Sequence, residues 1–156
     1  MRPTMDKIVL LTAFFLAITA TAPASDGDIL GVWNDEEKIV KIEIYRCGGK
    51  YCGKLVWLKE PNYPEGSREG TPGTPRVDHN NPNPALRKTS LFGLNIMYDF
   101  TYAGEKVWSG GRVYDPKNGN TYRGKMTLVS PDRLNLRGFI GIPLFGRTTT
   151  WTREKQ

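Results

Sequence analysis

The pattern over residues 107–128 most constrains how this chain can fold. Polar and apolar residues alternate on both sides of residues 115–119, which read DPKNG. Pro116 presets φ for a turn, and Asn118 and Gly119 tolerate a positive φ angle. The pattern predicts a β-hairpin. Because an isolated hairpin is only marginally stable in water, further strands must cover its apolar face.

The start of the chain has the features of an export signal. Arg2 and Lys7 supply positive charge, and residues 8–20 are apolar but too short and too early to span a bilayer. Residues 22–24 read Ala-Pro-Ala, which is typical of a cleavage site. We expect a mature chain that begins at Ser25, is periplasmic or secreted, and has no stable membrane insertion after signal removal. An uncleaved membrane anchor is the alternative.

Residues 25–156 are enough for a single domain with a substantial core. The chain carries a formal net charge of +6, but its Lys and Arg residues are scattered singly and form no basic block. This distribution argues against a nucleic-acid partner. A solvated surface attracted to anionic envelope components is the simpler interpretation. The oligomeric state is not predicted by any pattern.

Two tryptophan-bearing segments are suited to close a sheet on itself. Residues 28–33 (DILGVW) place a glycine two positions before Trp33, whose ring can fill the floor of a core. Residues 147–153 (RTTTWTR) are rich in threonine and carry Trp151, which favours a closing strand. We predict an all-β fold, a small antiparallel β-barrel of about eight strands, either filled by side chains or holding one small ligand.

A second hairpin is predicted over residues 38–58. With Gly49 and Lys50 as its turn, Cys47 lies opposite Cys52, and a disulfide is expected because an exported chain usually oxidises a pair of cysteines. A redox or metal pair is the alternative, although one His cannot readily complete a zinc set. The register places these apolar residues on one face: Val40, Ile42, Ile44, Leu55 and Trp57.

Residues 59–95 lack periodicity and hold six of the eleven prolines. Such a long Pro/Gly-rich loop is usually a functional cover or a disordered excursion. We expect residues 62–75 to be mobile and 78–94 to be ordered, with Asn83 capping a short helical turn that begins at Pro84. Polar side chains near His79 either satisfy loop backbone groups or form a site: Asp78, Asn80, Asn81 and Arg87.

The remaining segments complete the barrel. Residues 96–102 form another strand candidate, and a three-residue loop at 131–133 sets Leu128 opposite Leu136. Residues 139–145 are apolar and Gly-rich and contain Pro143, which predicts a bend or an interrupted strand.

Several motifs together resemble the DUF2147 family of exported bacterial proteins of undefined function. They are GVW at 31–33, EIYRCGGKYCGKLVWLKEP at 43–61, DHNNPNPALR at 78–87, SGGRVYDPKNGNTYRGK at 109–125 and RGFIGIPLFGRTTTWTR at 137–153. The resemblance implies a lipocalin-like (calycin) barrel, with an arginine of the closing strand over Trp33 by cation-π contact. Structural roles are expected for Trp33, Arg147 and Trp151. Family members often carry Asp where this chain has Asn83, and no established catalytic residues come with the resemblance.

Two classes of function fit such a barrel. In the first, its mouth binds a small hydrophobic or amphipathic molecule. The candidate wall residues are Trp57, Trp108, Tyr114 and Tyr122, and the candidate polar selectors are Asp78, Asn81, Arg87 and Arg112. The alternative is that these aromatic side chains only fill a closed core.

The second class is a hydrolase acting on envelope material. The chain lacks the serine-hydrolase, zinc-protease and phosphate-loop motifs, so no catalytic, metal or cofactor site is predicted. A carboxylate pair, Asp78 with Asp99 or Asp115, is conceivable for glycoside chemistry. A third possibility is a protein-interaction or envelope-stress component that uses residues 59–95. Binding is favoured over catalysis.

The export signal leads to a direct prediction. N-terminal sequencing of the protein recovered from the periplasm or medium should begin at Ser25, because the peptidase cuts after small residues at 22 and 24. Recovery of the exported protein with residues 1–24 intact would contradict cleavage and support the membrane-anchor alternative.

Overall fold

The structure is a computed structural model that describes residues 25–155. The predicted signal peptide lies outside these residues. Within them the chain forms eight strands: β1 (Gly31–Asn34), β2 (Val40–Cys47), β3 (Lys50–Leu58), β4 (Asn95–Gly104), β5 (Val107–Asp115), β6 (Asn120–Ser130), β7 (Arg133–Phe139) and β8 (Arg147–Arg153). Short 3₁₀ turns occur at Asp26–Ile29, Pro84–Leu86 and Pro143–Phe145. No helix in this part of the chain is long and apolar enough to cross a membrane.

Each strand pairs in antiparallel fashion with the next, and β8 returns to pair with β1, which closes the sheet into a barrel. At the closure Trp33 lies opposite Arg153, and Asn34 lies opposite Thr152. The central hairpin is present as β5 and β6, with Asp115 opposite Asn120. The predicted eight-stranded antiparallel barrel is therefore confirmed.

The connections alternate between the two ends of the barrel. The end that we call the plug end carries the turns at 48–49, 105–106 and 131–132 and the 3₁₀ turn Asp26–Ile29. The opposite end, called the loop end, carries the connections 35–39, 59–94, 116–119 and 140–146. The long loop and the turn of the central hairpin therefore lie at the same end.

Side chains fill the interior of the barrel. The Phe100 ring uses the space left by Gly111 and Gly124, where an added Cβ atom would lie 2.3 Å and 2.4 Å from ring atoms. These contacts give the close packing typical of a protein core. The large side chains with 0% exposure include Trp33, Met97, Phe100, Trp108 and Met126.

Arg153 seals the plug end. Its guanidinium carbon lies 4.2 Å from the centroid of the Trp33 ring. The same group donates hydrogen bonds to the carbonyl oxygens of Asp28 (2.5 Å), Leu30 (2.7 Å) and Pro131 (2.7 Å). The arginine over Trp33 is thus the last residue of β8, whereas Arg147 begins that strand opposite Gly138 and is exposed. Trp151 is buried, with 5% exposure.

The hairpin of β2 and β3 differs from the predicted register by two residues. Gly48 and Gly49 form the turn, with φ angles of 56° and 80°, and Cys47 lies opposite Lys50. Two glycines adopt these positive angles without strain, which favours this turn over Gly49-Lys50. Because the shift is even, the predicted inner face is retained. Its buried members are Ile42, Ile44 and Leu55.

The predicted Cys47–Cys52 disulfide is present. The two Cα atoms are 5.9 Å apart, within the usual range for a disulfide. In the observed register Cys52 lies opposite Tyr45, so the bridge joins diagonal positions of the hairpin and not facing ones.

The inward placement predicted for Trp57 is wrong. The β2–β3 register shifts between Lys41 and Ile42, so that Ile42 pairs with Leu55 while Lys41 pairs with Trp57. An extra residue in one strand turns the following side chains to the opposite face. Trp57 is therefore 40% exposed, and the Lys41 ammonium nitrogen lies 5.4 Å from its ring centroid.

The β6–β7 connection is one residue tighter than predicted. Ser130 pairs with Arg133, so the tip consists of Pro131 and Asp132, and Leu128 lies opposite Leu134 instead of Leu136. The inner face is unchanged because the shift is again even.

The long loop folds back on itself at the loop end. The helical turn predicted to begin at Pro84 is present, and the Asn83 side-chain oxygen accepts a hydrogen bond from the Ala85 amide (3.1 Å). Greater mobility of residues 62–75 stays a prediction. Two backbone bridges fasten the loop: Asn62–Pro75 and Val77–Ser90.

Loss of the Arg153 guanidinium should destabilise the barrel. We expect Arg153→Gln to lower the free energy of unfolding by about 2–4 kcal/mol, because three carbonyl groups lose a charged donor and Trp33 loses its cover. Denaturant unfolding followed by tryptophan fluorescence measures the change. Arg147→Gln on the same strand is the matched control and should stay within about 0.5 kcal/mol of the wild type. Equal effects of the two substitutions would contradict this role.

Candidate ligand site at the loop end

A buried carboxylate lies between the long loop and the barrel wall. Asp78 has 0% exposure and is the only charged residue that is buried within residues 25–155. The Tyr114 hydroxyl donates to Asp78 Oδ1 (2.7 Å), and Asn81 Nδ2 donates to Asp78 Oδ2 (2.7 Å). Both oxygens therefore have a donor, which offsets part of the cost of removing a carboxylate from water.

The long loop holds Asp78 in place through its own hydrogen bonds. The Asp78 amide donates to the Thr89 carbonyl (2.9 Å), and the Asn81 amide donates to the Asp78 carbonyl (3.0 Å). Arg87 Nε donates to the Asn81 carbonyl (2.8 Å). Asp78 and Asn81 thus form part of a folded unit that meets Tyr114 of β5.

The central hairpin anchors this unit to the barrel. Asn80 Nδ2 donates to the carbonyl oxygens of Lys117 (2.9 Å) and Pro116 (3.2 Å) in the β5–β6 turn. At Gly119, with a φ angle of 73°, an added Cβ atom would lie 2.1 Å from the Asn80 carbonyl oxygen. Glycine at this position therefore serves both the turn and the close approach of the loop.

A groove of about 600 Å³ opens between the second half of the long loop and strands β4 to β6. Its size is within the usual range for a small-molecule site. Apolar and aromatic surface comes from Leu86, Phe92, Leu94, Tyr98 and Tyr114. Polar side chains come from Asn81, Thr89, Ser90, Asn95 and Thr121. Among the described residues that line it, none is Asp, Glu, Lys, Arg or His.

Two tyrosines in the groove wall have raised pKa values. Burial raises the pKa of Tyr114, and the hydrogen bond to Asp78 raises this pKa further. Burial is also the main reason that the pKa of Tyr98 is raised. Each hydroxyl proton is engaged, by Asp78 and by the Asn95 carbonyl respectively. The two phenols therefore remain neutral and leave oxygen lone pairs that can accept a hydrogen bond.

Half of the predicted ligand residues meet around this site. Asp78, Asn81 and Tyr114 form one hydrogen-bonded cluster, and Arg87 adjoins it through the Asn81 carbonyl. Asn81 and Tyr114 line the groove, whereas Asp78 lies behind them.

The other predicted residues lie away from the groove. Trp57 is on the outer surface, and Arg112 is exposed and forms an ion pair with Asp99 (2.7 Å). Trp108 lies in the core, with its ring centroid 5.0 Å from that of Tyr102. The Tyr122 hydroxyl accepts a hydrogen bond from the Asn118 side chain (3.2 Å) in the β5–β6 turn.

Of the residues that line the groove, sequence reasoning identified only Asn81 and Tyr114, and it missed the large apolar and aromatic side chains of Leu86, Phe92, Leu94 and Tyr98. Leu86 and Phe92 are large apolar side chains in a loop, with 48% and 64% exposure, and this placement is the signal that could have identified them. Leu94 immediately precedes β4 and Tyr98 belongs to it. The alternating pattern of this strand does not indicate which positions face a groove.

The carboxylates considered for hydrolysis have other contacts. Asp99 lies on the outer surface between Lys50 (3.2 Å) and Arg112 (2.7 Å), which lower its pKa. Asp115 accepts hydrogen bonds from the Lys117 amide and the Asn118 side chain within its own turn. Neither lines the groove, and no observation favours a pair with Asp78.

The raised pKa of Tyr114 makes stability depend on pH. Its contribution is present below the ordinary tyrosine pKa of 10.0 and is lost as pH rises towards the folded-state value. We expect Tyr114→Phe to cost about 1–3 kcal/mol at pH 7, because Asp78 loses a donor. Between about pH 10 and 12, the stability of the wild type should fall more steeply than that of the variant.

Denaturant unfolding at a series of pH values measures both effects. Tyr122→Phe is the matched control, because the Tyr122 hydroxyl has only an exposed hydrogen bond, from the Asn118 side chain, within residues 25–155. Parallel pH profiles for wild type and Tyr114→Phe would contradict the buried Tyr114–Asp78 hydrogen bond.

Comparison with known proteins supports the assignment of the fold. The model of the DUF2147 family, described as an uncharacterized protein conserved in bacteria, matches residues 31–153. Among solved structures the chain is similar to protein HP1028 from Helicobacter pylori, which is described as belonging to the lipocalin family. The TM-score is 0.67 and the identity 23%, over 82% of this chain and 84% of the other.

At that identity the structural likeness establishes the fold alone. No curated protein matches the chain. The family match covers most of the chain, and it includes the strands and the loop that build the groove. This protein belongs to the DUF2147 family and has a lipocalin-like β-barrel.

Proposed function

We propose that this protein binds a small, uncharged amphipathic molecule in the groove at the loop end. The observation that carries the proposal is the groove lining, in which apolar and aromatic surface is combined with neutral hydrogen-bonding groups. A lipocalin-like barrel is compatible with small-molecule binding.

The filled interior directs the ligand to the mouth of the barrel. Trp33, Phe100 and Trp108 have 0% exposure and occupy the space that a deeply bound ligand would need. The groove lies outside this packed core, between the long loop and β4 to β6. The ligand therefore binds against the barrel wall under the long loop.

The apolar part of the ligand would cover exposed hydrophobic side chains. Phe92 and Leu86 leave 64% and 48% of their surface in water. Covering them with an acyl or aromatic group removes apolar surface from water, which is favourable by about 25 cal/mol per Å². Leu94 and the ring of Tyr98 extend the same surface.

The polar part of the ligand would be uncharged. Groove side chains such as Asn81, Asn95 and Thr121 supply donors and acceptors without a formal charge. The Asp78 carboxylate is buried behind Asn81 and Tyr114, and both of its oxygens already accept hydrogen bonds, so it is not accessible to a cationic group of the ligand. A carboxylate or phosphate headgroup would lose hydration in the groove without gaining a cationic partner.

We further propose that the protein acts outside the cytoplasm. Support comes from the export-signal pattern of residues 1–24 and from the Cys47–Cys52 disulfide, since disulfides persist mainly in oxidising compartments. A periplasmic or secreted protein with this groove would carry or sense an amphipathic molecule of the cell envelope.

Binding of the neutral fluorescent probe N-phenyl-1-naphthylamine tests the proposal. Emission should rise on binding, and the neutral monoacylglycerol monolaurin should displace the probe. Laurate has the same acyl chain but a charged headgroup, and it should compete about tenfold less well. Phe92→Asp should weaken probe binding about tenfold or more, because it replaces apolar groove surface with a charge.

Val129→Asp is the matched control, because Val129 is a similarly exposed apolar residue at the opposite end of the barrel. It should bind the probe as the wild type does. Unchanged probe binding by Phe92→Asp would show that the groove is not the binding site. Displacement by laurate as effective as that by monolaurin would refute an uncharged ligand.

A further inference from the structure

The connection between β7 and β8 exposes a group of large apolar side chains at the loop end. Residues 140–146 read IGIPLFG, and their large side chains are among the most exposed hydrophobic groups within residues 25–155. Single exposed apolar residues are common, but a contiguous group usually marks an interaction surface. The exposures are 75% for Ile140, 54% for Ile142, 74% for Leu144 and 79% for Phe145.

Arginine side chains hold this connection in one conformation. Arg137 donates to the carbonyl oxygens of Pro143 (2.6 Å) and Leu144 (3.1 Å) and to the Thr148 hydroxyl (2.8 Å). Arg123 reaches the Gly141 carbonyl at 3.5 Å. These backbone carbonyls thus have hydrogen-bond donors from the protein itself. The apolar side chains can therefore move out of water without leaving those carbonyls unpaired.

Glycine permits the tight packing at the base of the connection. At Gly146 an added Cβ atom would lie 2.6 Å from the Gly138 carbonyl oxygen. The Gly146 amide donates to the Pro143 carbonyl (3.0 Å), which closes the 3₁₀ turn Pro143–Phe145. Leu144 and Phe145 therefore project from a short turn that is fastened to the barrel.

Unpaired cations surround the apolar surface. Within residues 25–155 no ion pair involves Arg123, Lys125, Arg137 or Arg147, whereas Arg46, Lys54 and Arg112 all contact carboxylates. Lys125 lies opposite Arg137 and Arg123 lies opposite Phe139, so these three cations share the outer face of the sheet. Arg147 lies opposite Gly138, on the face that bears Trp151, and directly follows the connection at the start of β8. The charged residues within β6, β7 and β8, the strands next to the connection, are all Lys or Arg.

We propose that residues 140–146 dock on the surface of a bilayer that contains anionic phospholipid. Ile140, Ile142, Leu144 and Phe145 enter the interfacial region, while the four cations contact the headgroups. A second copy of the chain fits this surface poorly, because it would bring an equal set of unpaired cations against the first. The binding is peripheral and reversible, without a membrane-spanning element.

Sedimentation with vesicles tests the proposal on the mature protein. Vesicles of phosphatidylcholine alone are compared with vesicles in which about one third of the lipid is phosphatidylglycerol. We expect binding to the anionic vesicles that weakens in about 1 M salt, since salt screens the cationic contribution. Absence of binding to anionic vesicles at low salt would overturn the proposal.

Two pairs of substitutions separate the apolar and cationic contributions. Leu144→Asp with Phe145→Asp should raise the lipid concentration needed for half-binding about tenfold or more, because the inserted apolar surface is lost. Lys125→Gln with Arg147→Gln should raise it about tenfold on anionic vesicles. Within residues 25–155, the side-chain hydrogen bonds to the connection come from Arg123 and Arg137, so this pair leaves them in place.

The matched controls lie at the plug end. Val129→Asp makes the apolar-to-acidic change at one position, and the pair Lys106→Gln with Arg133→Gln removes two cations, both at the opposite end of the barrel. They should leave vesicle binding unchanged, and circular dichroism confirms that each variant is folded. An equal loss of vesicle binding in the controls, or unchanged vesicle binding in both test pairs, would exclude residues 140–146 as the docking surface.

The groove variant separates this proposal from the proposed function. Phe92→Asp should lose N-phenyl-1-naphthylamine binding but retain vesicle binding, since Phe92 does not belong to residues 140–146. If the apolar pair of substitutions instead abolishes self-association seen by analytical ultracentrifugation, and vesicle binding is absent, the surface is a contact between copies and the proposal is wrong.

Discussion

The contact of Arg153 with Trp33 is the interaction on which the closed barrel depends. β1 has four residues and pairs with β8 at only two positions, so backbone hydrogen bonds contribute little to closure. A guanidinium that covers the Trp33 ring and donates to three carbonyl groups joins β8, the 3₁₀ turn Asp26–Ile29 and the β6–β7 turn. Since this contact seals the plug end, access to the barrel is left to the opposite end.

The packing of the interior restricts function further. Phe100 lies against glycines of β5 and β6, and Met97 lies against Gly53, where an added Cβ atom would be 2.7 Å from the Met97 sulfur. Large side chains therefore fill space that other barrels of this size can leave for a ligand. Ligand and membrane contacts must then be made at the ends of the barrel, and the groove and residues 140–146 both lie at the loop end. One is a groove lined by neutral residues, and the other is an exposed apolar connection with cations on the neighbouring strands.

The architecture could be predicted from the sequence because alternation and turn chemistry are local signals. The same signals could not fix the register of β2 and β3, since a shift of two residues preserves the inner face and both candidate turns contain Gly49. Trp57 was misplaced for a related reason, because a β-bulge leaves no clear mark in the pattern. The groove could not be predicted from the sequence, because Phe92, Tyr98 and Thr121 come from three separate segments that only the tertiary structure brings together.

The position of the two proposed surfaces suggests why one barrel would carry both. An amphipathic molecule partitions into a bilayer, and its concentration in the surrounding water is correspondingly low. A groove at the end of the barrel that rests on the membrane would receive such a molecule without a long passage through water. The surface around the groove must then be cationic, so that Arg123 and Lys125 hold the anionic headgroups there. The groove itself must be neutral, because a cation inside it would bind those headgroups in place of the ligand. The exclusion of charged residues from the groove, with unpaired cations concentrated around residues 140–146, satisfies both requirements.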